Sequence, residues 1–131
     1  MKTTPARISI GHGGREEVLS GAADPVAEVS RLLRTYAGAS DVTLSIQLPD
    51  EHGTLLVALE VGSAIAGLVV QDGVYQYVAD EAASGKCQFV IGEQPTSIDM
   101  RYVLPATAAI EVLAPWLAGA APLADPAWER Q

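Results

Sequence analysis

Apolar residues recur at a helical spacing in the first third of the chain, between residues 26 and 36. Side chains three or four positions apart share one face of an amphipathic helix. Asp24 is a suitable N-cap residue, and Pro25 fits the first helical position, where its missing N–H costs nothing. We therefore predict a helix that begins at Pro25 and ends at Gly38, with Gly38 in the left-handed conformation. The predicted apolar face consists of Val26, Val29, Leu32, Leu33 and Tyr36.

After this helix the apolar period falls to two, which is typical of half-buried strands. The predicted strands are 42–48, 55–61, 64–70 and 74–78. Gly62-Ser63 suits a two-residue type II′ turn, and Asp72-Gly73 suits a type I′ turn. Two tight turns in succession force neighbouring strands to pair antiparallel, because parallel strands need a long crossover. The middle of the chain is therefore predicted to be an antiparallel meander.

The ends of the chain give weaker patterns. Short strands are predicted at 7–10, 86–91 and 97–104, and the residues from His12 into the polar stretch after Gly14 are predicted to be loop. Pro105 is predicted to open a second helix with Ala108, Ala109, Val112, Leu113 and Trp116 on one face. Pro115 should kink or break that helix, because proline removes a backbone hydrogen bond. Gly119 should end it, leaving a loop tail in which Trp128 can fold back onto the body.

These elements predict one α+β domain over residues 1–131, with 1–23 and 120–131 partly irregular. The domain should contain an antiparallel meander of about six strands with one or two helices packed on it. At 131 residues the chain suits one domain that buries about two-thirds of the surface its unfolded form exposes.

The charge of the chain is strongly unbalanced. Between Thr35 and Met100 there are nine acidic side chains and one basic side chain, Lys86, and the net charge of the whole chain is −8. Six of these acids fall in predicted loops: Asp50, Glu51, Asp72, Asp80, Glu81 and Glu93. A negative rim repels nucleic acid and anionic membranes, and it attracts basic surfaces over a Debye length of roughly 8 Å. The alternative is a surface that is acidic only for solubility.

Residues that could support catalysis or metal binding are few. His12 lies in a glycine-rich stretch without a Gly-x-Ser-x-Gly nucleophile motif, and His52 has no histidine or cysteine cluster beside it. Ser84-Gly85-Lys86 lacks the upstream glycine of a phosphate-binding loop. We therefore predict no catalytic residue, no metal site and no cofactor, although an enzyme whose catalytic residues are distant in sequence stays possible.

The cellular context follows from a few simple features. Cys87 is the single cysteine, which favours a reducing compartment, and its apolar surroundings favour a buried, unreactive thiol. Met1–Ile10 has no apolar core of a secretory signal, and the uncharged stretch Val112–Ala124 is shorter than the ~20 residues of a membrane-spanning helix. We predict a cytoplasmic protein that binds neither nucleic acid nor membrane.

The second half of the chain carries an ordered set of motifs. In chain order they are Ala66-Gly67-Leu68, Tyr75, Tyr77, Phe89-Val90-Ile91-Gly92, Leu104-Pro105, Trp116-Leu117-Ala118-Gly119, Pro122 and Trp128. In this order and spacing, residues 40 to 130 resemble immunity-protein family one of bacterial polymorphic-toxin systems. Ala121 departs from the resemblance, because that family usually has arginine before the proline.

The resemblance implies a protein that binds a cognate toxin made by the same cell, often a nucleic-acid deaminase, and blocks its substrate cleft. A toxin that grips nucleic acid needs a basic groove, so a negative rim would compete for that groove and raise the association rate. The predicted partner-binding residues are Asp50, Glu51, Asp72, Tyr75, Tyr77, Asp80, Glu81, Glu93 and Trp128. Two alternatives remain: a ligand-binding protein or enzyme with a pocket between helices and sheet, and a homodimer that pairs through an edge strand.

Overall fold

An antiparallel sheet of eight strands forms the centre of the protein. The computed structural model describes residues 7–19, 24–48, 53–119 and 127–131. The strands of the main sheet are β1 (Arg7–His12), β2 (Arg15–Leu19), β3 (Val42–Gln47), β4 (Thr54–Glu60), β5 (Ser63–Val70), β6 (Gly73–Tyr77), β9 (Leu104–Pro105) and β10 (Trp128–Arg130). Their order is β10-β6-β5-β4-β3-β1-β2, and β9 pairs with β5. A separate hairpin consists of β7 (Lys86–Ile91) and β8 (Gln94–Asp99).

Two helices, α1 (Pro25–Tyr36) and α2 (Ala109–Leu117), complete the α+β domain in the part of the chain that the structure describes. Their buried side chains join those of the main sheet in one hydrophobic core. The core-facing residues of neighbouring strands lie opposite each other, as in the row Ile8, Ile46, Leu55 and Leu68. The predicted fold class is confirmed, with about eight strands where about six were expected. None of the described helices is long and apolar enough to cross a membrane.

The start of α1 agrees with the prediction. Asp24 has an extended backbone, and its side chain accepts a hydrogen bond from Ala27 N–H at 3.2 Å. The predicted end was wrong, because Ala37 stays right-handed and Gly38 has no positive φ. Tertiary contacts replace the left-handed cap, since Gly62 N–H donates to the carbonyl oxygen of Ala37 at 2.6 Å.

Replacing Asp24 with alanine should lower the free energy of unfolding by about 1 kcal/mol, because an amide at the helix start loses its acceptor. Chemical denaturation followed by circular dichroism measures the loss. Asp24→Asn keeps a side-chain oxygen and should stay close to the parent protein. Equal losses in both variants would show that the carboxylate charge matters and the cap does not.

The first tight turn of the meander lies one residue earlier than predicted. Glu60 pairs with Ser63, so the loop is Val61-Gly62, with φ values of 41° and 88°. Positive φ at both loop residues is typical of type I′ and not of the predicted type II′. The core sets this register, because it places Leu59 opposite Ala64 and both are fully buried.

The second tight turn is also shifted by one residue. Val70 pairs with Gly73, so the loop is Gln71-Asp72, and neither loop residue has a positive φ. The predicted type I′ turn at Asp72-Gly73 is therefore wrong. The observed register places Leu68 opposite Tyr75, which both belong to the core side of the sheet.

The stretch after Gly14 is a strand, where the sequence predicted a loop. β2 pairs with β1 across the loop Gly13-Gly14, whose φ values of 58° and 82° suit a tight hairpin. All the β2 side chains that the structure describes are exposed, so the strand has no apolar alternation by which it could be recognised. The Gly13-Gly14 pair, which suits a two-residue hairpin turn, was the feature of the sequence that could have indicated this hairpin.

The β7 bounds match the predicted strand, but its partner lies three residues earlier than expected. Gly92 and Glu93 form the hairpin turn, with φ values of 57° and 67°. The predicted strand 97–104 instead divides into the end of β8, a 3-10 turn at Met100–Tyr102, and β9. This hairpin packs on β4 and β3 and is not a further strand of the meander.

The region after Pro105 is helical, as predicted. A 3-10 turn at Ala106–Ala108 leads into α2, and Ala109, Leu113 and Trp116 face the core. The helix runs through Pro115 without a break. Pro115 is exposed and lies two residues before the helix ends, so the lost hydrogen bond leaves a carbonyl near solvent. Gly119 then has a φ of 95°, which agrees with the predicted helix stop.

The end of the chain is more ordered than the predicted loop tail. β10 pairs with β6, with Trp128 opposite Tyr77. Trp128 folds back into the core and is 6% exposed. A three-residue strand with one apolar side chain has too short a pattern to be identified from sequence.

Candidate partner-binding surface

The predicted acidic residues are distributed around the domain and do not form one rim. Asp72 lies in the turn between β5 and β6, whereas Glu93 lies in the β7–β8 turn near the opposite end of the main sheet. Asp80 and Glu81 lie between β6 and β7, where Asp80 N–H donates to the carbonyl oxygen of Arg101 at 3.1 Å. The predicted residues Asp50 and Glu51 lie outside the described residues. The described acids thus form three separate negative regions.

The predicted acidic side chains that the structure describes are exposed, and none of them forms an ion pair with a described basic residue. The ion pairs recorded among the described residues are Arg31–Glu28, Lys86–Asp99 and Arg101–Glu129. They involve none of the four predicted site acids that the structure describes, which are Asp72, Asp80, Glu81 and Glu93. The Arg130 guanidinium donates to the backbone carbonyl oxygen of Asp72 at 2.6 Å, so a positive charge lies near Asp72 without contacting its carboxylate. Because none of the four carboxylates forms an ion pair among the described residues, they contribute to the negative potential around the protein.

The aromatic residues predicted as contact anchors lie largely inside. Trp128 is buried, and its ring meets Tyr77 and Trp116 edge to face at centroid distances of 5.4 Å and 5.6 Å. Tyr75 and Tyr77 are half-buried and pack against the same core. Trp128 therefore offers almost no surface to a partner, while the two tyrosines retain exposed edges.

Two carboxylates that the sequence analysis did not single out attach the β7–β8 hairpin to the main sheet. Glu60 accepts hydrogen bonds from Ser40 Oγ at 2.6 Å, Val90 N–H at 3.0 Å and Asp41 N–H at 3.2 Å. Asp41 in turn accepts from Glu93 N–H at 3.1 Å. These acids therefore have a structural role at the end of the sheet that bears Glu93.

The hairpin turn also fits closely against the β1–β2 loop. A Cβ atom built on Gly14 would lie 2.0 Å from Glu93 Oε1, the far end of an exposed side chain that can move aside. Gly14 also has a φ of 82°, which disfavours other residues. The Glu93 side chain thus lies next to the β1–β2 hairpin.

The hydrogen bonds to Glu60 should make stability depend on pH. Desolvation acts to raise the pKa of Glu60, but the bonds from Ser40, Val90 and Asp41 together lower it below its ordinary 4.5. A group with a depressed folded-state pKa stabilises the fold above its unfolded pKa and loses that effect as pH falls through the folded value. The free energy of unfolding should therefore fall as pH drops below about 4.5.

Chemical denaturation at a series of pH values above and below 4.5 tests this loss of stability, with Glu60→Gln as the variant that cannot titrate at this position. Glu28, Asp99 and Glu129 also have lowered pKa values through Arg31, Lys86 and Tyr102, so the parent protein loses stability from several groups. The free energy of unfolding is plotted against pH for both proteins, and the contribution of Glu60 is the difference between the slope for Glu60→Gln and the slope for the parent. Parallel pH curves for the two proteins would contradict the role of Glu60.

The clefts lined by described residues are surface features. One of about 220 Å³ lies between α1 and the residues leading into α2, and it is lined by Ser30, Leu33, Arg34, Ala106, Thr107 and Ile110. Arg34 donates to Ser30 Oγ at 3.1 Å beside it. This cleft lies between the two helices, whereas the alternative hypothesis placed a pocket between helices and sheet.

The candidate catalytic side chains form no recognisable constellation in the described segments. His12 meets the ring of Tyr36 edge-on at 5.5 Å, and Cys87 on β7 is half-buried rather than buried as predicted. His52 lies outside the described residues. No group of three or more His, Cys, Asp or Glu side chains placed to hold a metal ion occurs among the residues that the structure describes.

No protein-family model matches this chain, and no curated protein matches it. The exposed acidic regions are therefore the main physical basis for a functional proposal.

Proposed function

We propose that this protein is an immunity protein that binds a toxin made by the same cell and blocks the basic cleft in which the toxin holds its substrate. The observation that carries the proposal is the set of exposed carboxylates that form no ion pair among the described residues, which are Asp72, Asp80, Glu81 and Glu93. The order of motifs in the second half of the chain supports the same function through its resemblance to immunity-protein family one.

Electrostatics explains why such an arrangement suits inhibition. A toxin that acts on nucleic acid, such as a deaminase, needs positive charge where it holds phosphates. Fixed carboxylates on a rigid domain compete for that charge and steer the two proteins together. The complex would form in the cytoplasm, where the producing cell must be protected, and the inhibitor would act stoichiometrically without turnover.

The separation of the acids around the domain indicates a wide electrostatic field rather than one charged contact. Their main effect should be on the association rate, because distant charges steer the encounter without entering the buried contact. The half-buried Tyr75 and Tyr77 can add contact area where their edges are exposed.

The test is a charge reversal of Asp72, Asp80 and Glu81 to lysine in one protein. Association with the toxin encoded beside this protein should slow by about tenfold or more at low salt, and the difference should shrink as salt is added. Stopped-flow measurements give the rate, and growth during co-expression with the toxin reports protection. The three reversals are also made one at a time, and each single variant is compared with Glu111→Lys, which changes the net charge equally but reverses an exposed carboxylate on α2.

The proposal makes two separable claims. If the parent protein forms no complex with the neighbouring protein and gives no protection, the immunity function is wrong. If protection and association rate are unchanged with all three acids reversed, then inhibition can stand but these acidic regions do not drive it.

A further inference from the structure

The outer edge of β2 is a backbone edge of the main sheet that no other described strand covers. β2 is the last strand in the sheet order, and among the described strands its one partner is β1. His12 and Arg15 flank the two-residue hairpin loop, so they form a hydrogen-bonded pair. Because such pairs alternate along antiparallel strands, Glu16 and Val18 direct their N–H and C=O groups away from β1. No hydrogen bond recorded for the described segments covers these groups.

Two other described strand edges are shorter or blocked. β10, at the opposite edge of the main sheet, has three residues. β8 contains Pro95, which cannot donate a backbone hydrogen bond. β2 has neither restriction, and the side chains of Arg15, Glu16, Glu17 and Val18 are all exposed. A strand that joined this edge would therefore have access from both faces of the sheet along these four residues.

The charges on β2 indicate the chemistry of the strand that would fit. Glu16 and Glu17 point to opposite faces, because successive side chains in a strand alternate. Neither glutamate has an ion-pair partner among the described residues. Asp41 and Glu16 line the same cleft between the β1–β2 hairpin and the β7–β8 turn, together with Arg15. Arg15 shares a face of β2 with Glu17, so the face of Glu16 is the one on which β2 presents a glutamate without a basic residue of its own. A strand with basic side chains on that face would meet opposite charge.

A second copy of this chain brings its own negative charge to this edge. Symmetric antiparallel pairing centred on Glu16 or on Glu17 would place two identical carboxylates opposite each other, although the first register also places Arg15 opposite Glu17. Each copy has a net charge of −8, which opposes the association of two copies. Val18, with 55% of its surface exposed, offers an apolar contact next to these charges. Charge complementarity therefore favours a basic partner over a copy of the chain.

We propose that the edge of β2 binds an extended, basic strand of the partner protein through backbone hydrogen bonds to Glu16 and Val18, which extends the main sheet by one strand. This inference rests on the proposed function, since the basic partner is the toxin. Backbone pairing would supply affinity, and Glu16 would select for lysine or arginine side chains on its face of the sheet.

The first experiment uses a short synthetic peptide of alternating lysine and valine and the full-length protein labelled with ¹⁵N. Peptide binding should slow hydrogen exchange of the Glu16 and Val18 amides by about tenfold or more, as expected when exposed amides become hydrogen-bonded. A peptide of the same sequence with N-methyl groups on the amides of one edge is the matched control. It keeps the charge and the apolar side chains but cannot complete the ladder.

A protein variant gives an independent readout. Glu16→Pro removes an N–H that points to the free edge, a place where strands tolerate proline. The variant should bind the peptide about tenfold more weakly, the effect of roughly one net hydrogen bond. Glu16→Gln keeps the N–H and removes only the charge, so comparing the two separates backbone pairing from electrostatics. Thermal unfolding checks that both variants are folded.

Three outcomes would overturn the inference: equal binding of the two peptides, protection confined to other residues, or a β2-paired dimer of the free protein in sedimentation. Each can occur while the toxin still forms a complex with the parent protein, which leaves the proposed function intact. Conversely, the protein could pair with the basic peptide at β2 and yet neutralise no toxin. The β2 edge would then stand as a binding site, and the proposed immunity function would be wrong.

Discussion

Replacing Trp128 with alanine is expected to lower the free energy of unfolding by about 3–5 kcal/mol, the usual cost of removing a large buried aromatic side chain. Trp128 is 6% exposed and contacts the rings of Tyr77 and Trp116 edge to face. Each such aromatic contact contributes about 0.5–1.5 kcal/mol beyond the buried area. The substitution also removes the one core side chain of β10, so this strand should separate from β6.

Denaturation with urea, followed by circular dichroism, measures this loss. Trp128→Phe is the control, because it keeps an aromatic ring in the same place and should cost clearly less than alanine. It also leaves Trp116 as the single tryptophan, so fluorescence then reports on the α2 side of the core. A stable Trp128→Ala protein that no longer binds its partner would contradict the core role and restore Trp128 as a contact anchor.

The fold could be predicted where one face of an element is buried and the other is not. α1, β3 and β5 satisfy this condition, and their burial follows the helical or alternating spacing of their apolar residues. In β4 the residues Val57, Ala58 and Leu59 are all buried, because the β7–β8 hairpin packs on this strand. β2 was not predicted, because its described side chains are exposed on both faces and give no apolar alternation. The two meander turns were misplaced by one residue, since the register follows contacts across the sheet and the turn residues follow the register.

The candidate surface was predictable in composition but not in arrangement. Acidic residues in polar stretches indicate exposed charge, and Asp72, Asp80, Glu81 and Glu93 are exposed. The same composition does not reveal which carboxylates have structural partners. Glu60 accepts from Val90, 30 residues away, and Asp41 accepts from Glu93, 52 residues away. Bonds over such separations depend on the packing of the hairpin, which local sequence does not specify.

Replacing Phe89 with alanine should release the β7–β8 hairpin from the sheet. Phe89 is fully buried, whereas Gln88 is exposed and Val90 is half-buried. Because β7 packs on β4 and β3, the buried ring must face the main sheet on that side. Phe89 is absent from the main core cluster, so it belongs to a second, smaller apolar contact. Its loss should cost about 3–5 kcal/mol if the hairpin unfolds together with the rest of the domain.

A hairpin that opens by itself gives a different signature, and hydrogen exchange separates the two cases. With local opening, β7 and β8 amides exchange much faster in Phe89→Ala while β4 and β5 amides keep their protection. We expect this local pattern, because the hydrogen bonds that join the hairpin to the main sheet among the described residues, to Glu60 and Asp41, lie at one end of it. Phe89→Leu conserves most of the apolar volume and should cost less than about 1.5 kcal/mol. Unchanged hydrogen exchange throughout the hairpin in Phe89→Ala would show that the hydrogen bonds to Glu60 and Asp41 hold the hairpin without Phe89. Glu93 would then stay beside Gly14 in this variant.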